Sequence, residues 1–164
     1  MLLLMCSLSL AQNAVIGEIA PDFTLQDSND DPTTLSSFYN IGPIVVFFYP
    51  NDATKICHKE ILAFRNLTDE LEKYNTTIIG ISSNSVAEHN DTVVNNDIKY
   101  KLLTDFDNKV RKQWKVPRSL LFFPGRVTYI LDKEGVVRYI HKDLLDGPGH
   151  ADFALTAVKL IAKE

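Results

Sequence analysis

The side chain best suited to chemistry in this sequence is the thiol of Cys57, in the segment YPNDATKICHKE at 49–60. Cys57 follows a strand-like apolar run and falls in the first turn of a predicted helix, at the sheet edge where α/β folds place ligands. Free N–H groups and the positive end of the helix dipole favour a thiolate there, and a thiolate attacks peroxides, disulfides or acyl groups. On position alone, a single cysteine is more often a small buried hydrophobic residue, so its neighbours must decide.

Three neighbours of Cys57 have residue types that matter at such a site, and each also has a plain structural interpretation. Thr54, three residues before the cysteine, is suited to cap the helix N-terminus. Pro50 is suited to end the preceding strand, because proline has no N–H for a sheet ladder. Glu60 would interact favourably with the positive end of the helix dipole.

Four residues far from Cys57 in the sequence are further candidates. Arg126 opens a later strand-like run and, taken alone, is predicted to be a surface arginine paired with a carboxylate. Trp114, Phe122 and Phe123 are predicted to lie in the core or at its rim. The alternative for these aromatic residues is a hydrophobic collar around a substrate.

Hydrophobic periodicity predicts the elements that carry these residues. The apolar run IVVFFY at 44–49 is typical of a strand buried on both faces. Apolar steps of three and four predict a helix over 55–74, and Ser85 with Glu88 has capping-box spacing for another, which extends to about 96. Further strands are predicted at 23–25, 33–35, 77–82, 100–103, 126–131 and 136–140, and further helices at 107–114 and after a break at 147–149. This order predicts an α/β, thioredoxin-like fold with a mixed central β-sheet flanked by helices and an N-terminal β-hairpin extension.

The composition excludes several classes of protein. Of the 164 residues, 45% are hydrophobic and 23% are charged, which is typical of a globular domain. With a net charge of -4 and no basic run, the chain has no electrostatic reason to bind nucleic acid or anionic lipid. Two cysteines are too few for a disulfide framework.

No group of residues predicts a metal or cofactor. His58 and His89 are predicted to be solvated helix residues, and His141 and His150 lack the spacing of metal ligands. Signatures for haem, flavin or nucleotide are missing from the sequence as well. We therefore expect neither a metal nor another cofactor.

The first 14 residues, MLLLMCSLSLAQNA, differ from the rest of the chain. Their apolar stretch is too short to span a bilayer and lacks the positive charge that begins a secretory signal, so no stable membrane association is expected. We interpret residues 1–14 as a signal-like or disordered leader and 15–164 as one domain, in a protein that is either cytoplasmic or exported. The sequons at Asn66, Asn75 and Asn90 matter only on a eukaryotic secretory route.

The neighbours of Cys57 take on another meaning when they are considered together. The pattern Pro50-x-x-x-Thr54-x-x-Cys57 resembles the active-site motif of the peroxiredoxins, and the segment RVTYILDKEG at 126–135 is similar to that family's distal arginine segment. Other matches are APDFTL at 20–25, FFYP at 47–50, GIS at 80–82, and Glu60, Phe64 and His89, which are typical of the peroxiredoxin Q or bacterioferritin comigratory protein type. The resemblance extends from about Ile16 to the C-terminus.

The resemblance implies a thiol-dependent peroxidase that reduces hydrogen peroxide and organic hydroperoxides in antioxidant defence and redox homeostasis. Its thiolate would attack the hydroperoxide and become a sulfenic acid. Arg126 would keep the thiolate ionised and donate to the peroxide, Thr54 would orient the peroxide, and Pro50 would shield the sulfur from water. The residues assigned to the site in this way are the peroxidatic Cys57, Thr54, Arg126 and Pro50, with Glu60 and Tyr49 as supporting residues.

The sequence departs from this type of peroxiredoxin at the resolving cysteine. Many members carry one five residues after the peroxidatic cysteine, where this chain has Leu62, and no cysteine follows Cys57. The other cysteine, Cys6, lies in the predicted leader. We therefore expect a one-Cys enzyme, a monomer or weak dimer, that is recycled by thioredoxin, glutaredoxin or a low-molecular-weight thiol. The alternative is a thiol-based redox sensor or chaperone-like binding protein with little peroxidase turnover.

Overall fold

The computed structural model describes residues 14–119 and 123–164, and a seven-stranded mixed sheet forms their centre. In chain order the strands are β1 (Thr24–Asp27), β2 (Pro32–Thr34), β3 (Ile44–Phe48), β4 (Thr77–Ser82), β5 (Lys101–Thr104), β6 (Arg118–Ser119), β7 (Phe123–Pro124), β8 (Val127–Leu131) and β9 (Val137–Lys142). The helices are α1 (Lys55–Glu72), α2 (Val86–Asn96), α3 (Lys109–Gln113) and α4 (Gly147–Ile161), and a 3₁₀ turn covers Leu35–Phe38.

The order of strands across the sheet is β2-β1-β5-β4-β3-β8-β9, and β6 and β7 form a separate two-stranded ribbon. β4 pairs in parallel with both β3 and β5, whereas the remaining neighbours in the sheet pair antiparallel. The antiparallel pair β1–β2 extends one edge of the sheet. This arrangement confirms the predicted thioredoxin-like α/β fold with an N-terminal hairpin.

Alternate residues of β3 point into the two halves of the core, because successive side chains of a strand face opposite sides of the sheet. Val45 and Phe47 pack with residues of α1 and α4, whereas Val46 and Phe48 pack on the other face with Trp114. Every residue of β3 is buried, as the continuous apolar run predicts. Cys57 belongs to the half of the core that α1 and α4 cover.

The register of β3 and β8 explains why two distant parts of the chain meet. These strands are antiparallel, and Phe48, the last residue of β3, pairs with Val127, the first residue of β8. The chain that leaves β3 toward α1 therefore lies beside the chain that enters β8. The motif around Cys57 and the distal arginine come together at this corner of the sheet.

One local prediction differs from the structure, and one local feature was not predicted. Gly147, Pro148 and Gly149 do not break the chain but form the first turn of α4, where proline is tolerated because its missing N–H has no helical partner. The Asp146 side chain caps this turn by accepting a hydrogen bond from the N–H of Gly149 at 2.9 Å. The ribbon of β6 and β7 was not predicted, since two-residue strands leave no periodic signal.

The predicted leader, residues 1–14, lies almost wholly outside the described residues. Ala14, the first described residue, packs against the core. Among the described residues, no helix combines the length and apolar character needed to cross a membrane. The division of the chain at residue 14 stays a prediction.

Candidate active site

Cys57 lies in the first turn of α1 and has no exposed surface. Thr54 is the N-cap of the helix, and its Oγ1 accepts a hydrogen bond from the N–H of Cys57 at 3.3 Å. The predicted cap is therefore confirmed. Since Thr54 itself is exposed, its hydroxyl lies where solvent meets the first turn of the helix.

Arg126 lies beside the cysteine, with Nη2 3.2 Å from the Sγ of Cys57. The arginine is only 4% exposed, so its interpretation as a surface residue was wrong. Its Nε donates to the carbonyl oxygen of Leu144 at 3.2 Å, and its Nη1 donates to Oε2 of Glu60. A positive guanidinium held at this distance stabilises a thiolate relative to a thiol.

Glu60 is completely buried one helical turn after Cys57, where it forms an ion pair with Arg126. The predicted interaction of Glu60 with the helix dipole therefore does not describe its main contact, which is with Arg126. Burial raises the pKa of the Glu60 carboxyl to about 8, although the charge and hydrogen bond of Arg126 act in the opposite direction. Its Oε1 has no hydrogen-bond partner among the described residues. The carboxyl can therefore carry a proton on Oε1 while Oε2 stays bound to Arg126.

His150 of α4 closes the far side of the Glu60 carboxyl, with Nδ1 3.9 Å from Oε1. Nε2 of His150 lies 2.8 Å from the carbonyl oxygen of Asp143 and must donate to it, which leaves Nδ1 to accept from Oγ1 of Thr128 at 2.8 Å. Burial lowers the pKa of His150 to about 4, so the ring is neutral at physiological pH. α4 can approach α1 this closely because Gly147 has no Cβ. A Cβ at this residue would lie only 2.6 Å from the carbonyl oxygen of Ile56.

The raised pKa of Glu60 predicts that stability falls as the pH rises. The folded protein keeps the Glu60 proton up to about pH 8, whereas the ordinary pKa is 4.5, so folding takes up a proton between these values and is weakened as the pH rises through them. Between about pH 6.5 and pH 8, the wild-type protein is expected to lose up to about 2 kcal/mol of unfolding free energy relative to Glu60→Gln. Urea denaturation of both proteins across this range measures the difference. Parallel curves would show that Glu60 is ionised throughout.

A second polar cluster holds the loop between β3 and α1. Oδ1 of Asp52 accepts from the hydroxyl of Tyr49 at 2.7 Å, and Oδ2 lies 3.0 Å from Nδ1 of His89 and accepts from Oγ1 of Thr92 at 2.7 Å. Although burial raises the pKa of Asp52, hydrogen bonds from His89, Thr92 and Tyr49 and the charge of His89 hold it below its usual value. The cluster ties the loop that contains Pro50 to α2.

This cluster corrects the prediction that His89 is a solvated helix residue, because His89 is completely buried. The role of Asp52 was missed, since nothing local marks a loop aspartate as a buried anchor. The available signal was the spacing of His89 and Thr92, which lie three residues apart and therefore on one face of α2. His58 is partly buried, with Nε2 3.0 Å from Oδ1 of Asn96.

The remaining candidates are distributed as follows. Pro50 is partly buried in the loop between β3 and α1, and Leu62 lies on α1. Trp114 is a core residue, as predicted, and its Nε1 donates to the carbonyl oxygen of Pro21 at 3.0 Å. Cys6 and Phe122 lie outside the described residues.

Comparison with known proteins identifies the family of this chain. The model of the AhpC/TSA family matches residues 16–140. The chloroplastic peroxiredoxin Q of Oryza sativa subsp. japonica is 42% identical over 135 residues, which are 82% of this chain and 62% of the rice protein. The chain therefore spans less than two thirds of the length of that relative.

Solved structures of relatives have the same fold. Peroxidoxin BcpB of Mycobacterium tuberculosis superposes with a TM-score of 0.82 at 32% identity, over 89% of this chain and 97% of that protein. The bacterioferritin comigratory protein of Xanthomonas campestris, studied for its alkyl peroxide reduction activity, superposes with a TM-score of 0.81 at 29% identity, over 92% of this chain and 99% of that protein. Because the family model matches most of its length, this chain belongs to the AhpC/TSA family, and its relatives are peroxiredoxins of the Q type.

Proposed function

We propose that this protein is a thiol-dependent peroxidase that reduces hydrogen peroxide and organic hydroperoxides through Cys57. The observation that carries the proposal is the approach of Arg126 Nη2 to within 3.2 Å of the Cys57 sulfur, at the N-terminus of α1. The helix end and the guanidinium both favour the thiolate. Membership of the AhpC/TSA family and peroxiredoxin Q relatives support the same reaction.

The reaction would be a displacement at oxygen. The Cys57 thiolate attacks the terminal oxygen of the hydroperoxide, so an S–O bond forms as the O–O bond breaks. The sulfur is oxidised to a sulfenic acid, and the peroxide is reduced to an alkoxide or hydroxide that takes a proton and leaves as alcohol or water. Negative charge moves from sulfur to oxygen during this step, and a fixed guanidinium stabilises it along the way.

Thr54 and Pro50 would shape the space in front of the sulfur. The Thr54 hydroxyl already accepts from the Cys57 N–H, so its own proton remains free to donate to a peroxide oxygen. Pro50, which is partly buried, would face the site without offering an N–H of its own to water. Glu60 would hold Arg126 in place, and Tyr49 would hold the loop through Asp52.

Thr54→Val is expected to lower the rate of peroxide reduction about a hundredfold, because the variant loses a donor to the reacting oxygens. It also loses the helix cap, which costs about 1 kcal/mol. Thr54→Gly separates the two roles, since glycine at the N-cap costs only roughly a few tenths of a kcal/mol but has no side-chain donor. Single-turnover oxidation by hydrogen peroxide, compared with Thr54→Ser, measures the effect. Wild-type rates in Thr54→Gly would leave Thr54 with the capping role alone.

Recycling of the sulfenic acid would need a thiol from outside the folded domain. Leu62 occupies the position of a resolving cysteine on α1, and Cys57 is the free cysteine among the described residues. Because Cys57 is fully buried, a protein thiol would reach its sulfur only after the residues that cover it move. Thioredoxin, glutaredoxin or a low-molecular-weight thiol would be the reductant of a monomer or weak dimer.

The proposal is tested by the intact mass of the reduced protein after one equivalent of hydrogen peroxide, with and without a sulfenic-acid trap. The expected product is a single trapped adduct at Cys57. A Cys6–Cys57 disulfide would contradict recycling by an external thiol alone, and no oxidation at all would overturn the proposal. Steady-state assays with each thiol donor then identify the reductant, and oxidation without turnover would favour the redox-sensor alternative.

A further inference from the structure

Arg111 is a second buried arginine at the corner where β3 ends and β8 begins. It lies on α3 and is only 7% exposed. The backbone N–H groups of residues 109–111 donate to the carboxylate of Asp105 at 2.8 to 3.1 Å, so this short helix is held in place at its beginning. The backbone of Arg111 is therefore held in place independently of the contacts that its side chain makes.

The guanidinium of Arg111 joins the two segments that carry the active site. Nη1 donates to the carbonyl oxygen of Gly125 at 2.7 Å, and Nη2 donates to the carbonyl oxygen of Tyr49 at 2.8 Å. Tyr49 directly precedes Pro50, and Gly125 directly precedes Arg126. The planar fork of an arginine can hold two acceptors in one fixed geometry, which lysine does not match.

Arg111 acts where the sheet ladder stops. The last pair between β3 and β8 is Phe48 with Val127, and Pro50 has no N–H with which to extend it. The backbone of Gly125 also packs closely against Pro117, and only glycine fits there, because a Cβ would lie 2.0 Å from the carbonyl oxygen of Pro117. Arg111 thus replaces the missing ladder with two side-chain hydrogen bonds.

The charge of Arg111 is buried without a carboxylate beside it. Among the described residues, Arg111 forms no ion pair with a carboxylate, and its guanidinium lies over the ring of Phe48, 5.5 Å from the centroid. Burying a charge without such a partner costs stability. Burial lowers the pKa of Arg111 to about 10, while the negative charge of Asp105 favours its protonated form.

We propose, on the basis of the peroxidase function proposed above, that Arg111 is a positioning residue for the reaction of Cys57. By holding the carbonyls of Tyr49 and Gly125, it sets the distance between the loop that leads to the cysteine and the strand end that carries Arg126. A displacement of reacting groups by about 1 Å can lower a rate about a hundredfold, so a residue that fixes this distance acts on the rate.

The test compares Arg111→Met, which keeps the apolar stem, with Arg111→Lys, which keeps the charge but not the fork. Lys112→Met is the matched control, because Lys112 is the next residue on α3 and is exposed. Single-turnover oxidation of Cys57 by hydrogen peroxide gives the rate constant, and thermal unfolding shows whether each variant is folded. We expect a loss of about tenfold to a hundredfold in Arg111→Met, partial recovery in Arg111→Lys, and a wild-type rate in Lys112→Met.

Alkylation of Cys57 by iodoacetamide across a pH series provides a readout that a purely structural role would not move. The midpoint of the profile is expected to shift to higher pH in Arg111→Met and to return toward wild type in Arg111→Lys. A folded Arg111→Met protein with the wild-type oxidation rate would overturn the proposal. If that variant does not fold, a wild-type rate in Arg111→Lys would overturn it instead. Failure of the proposed function is a separate result, because the wild-type protein itself would then not be oxidised.

Discussion

Replacement of Cys57 by serine is expected to abolish peroxide reduction. A hydroxyl is not ionised at neutral pH, and neither the helix end nor Arg126 can make it a nucleophile comparable to a thiolate. The oxygen of serine also cannot form the sulfenic acid on which turnover depends. Consumption of hydrogen peroxide with excess thiol donor is expected to fall on the order of a thousandfold or more, to the rate without enzyme.

The result is informative because the substitution is nearly isosteric at a buried position. Cys57 packs in the half of the core beneath α1 and α4, so Cys57→Ser is expected to remain folded, which thermal unfolding verifies. Cys6→Ser is the matched control, since it removes the other cysteine of the chain. Activity retained in Cys57→Ser would exclude the whole mechanism, and activity lost in Cys6→Ser would make Cys6 part of the cycle.

Features that depend on neighbours in the sequence could be predicted. The apolar run at 44–49 predicted β3, and the spacing of Ser85 and Glu88 predicted the capping box that begins α2. The motif around Cys57 predicted a thiol at a helix N-terminus capped by Thr54. Each of these depends on backbone propensity or periodicity within a few residues, which the sequence expresses directly.

Features that depend on tertiary contacts could not be predicted in this way. Glu60 and Arg126 are 66 residues apart, and Asp52 and His89 are 37 apart. Their pairing depends on the register of β3 with β8 and on the position of α2, and neither leaves a local signal. The buried state of Arg126 and His89 follows from those contacts, so intrinsic polarity predicted exposure for both and was wrong.

Removal of the Arg126 guanidinium is expected to affect activity and stability together. Arg126→Met loses the donor at the Cys57 sulfur, and the oxidation rate constant is expected to fall about a hundredfold to a thousandfold. The same change leaves Glu60 buried without its partner, and this costs about 3–5 kcal/mol where the carboxyl that remains is ionised. Because the pKa of Glu60 is about 8, the carboxyl is protonated below that pH and then leaves no unpaired charge in the core. The loss of stability is therefore expected to be larger at about pH 8 than at about pH 6.5.

A double variant separates these two effects. Arg126→Met with Glu60→Gln leaves no buried carboxyl to neutralise, so most of the lost stability is expected to return, as it does when both members of a buried pair are replaced. Activity is expected to stay low, because the donor at the sulfur is still missing. Denaturant unfolding gives the stability, and single-turnover oxidation of Cys57 gives the rate. If the double variant regained both, Arg126 would serve only to neutralise Glu60, and stabilisation of the thiolate would have to come from the helix end.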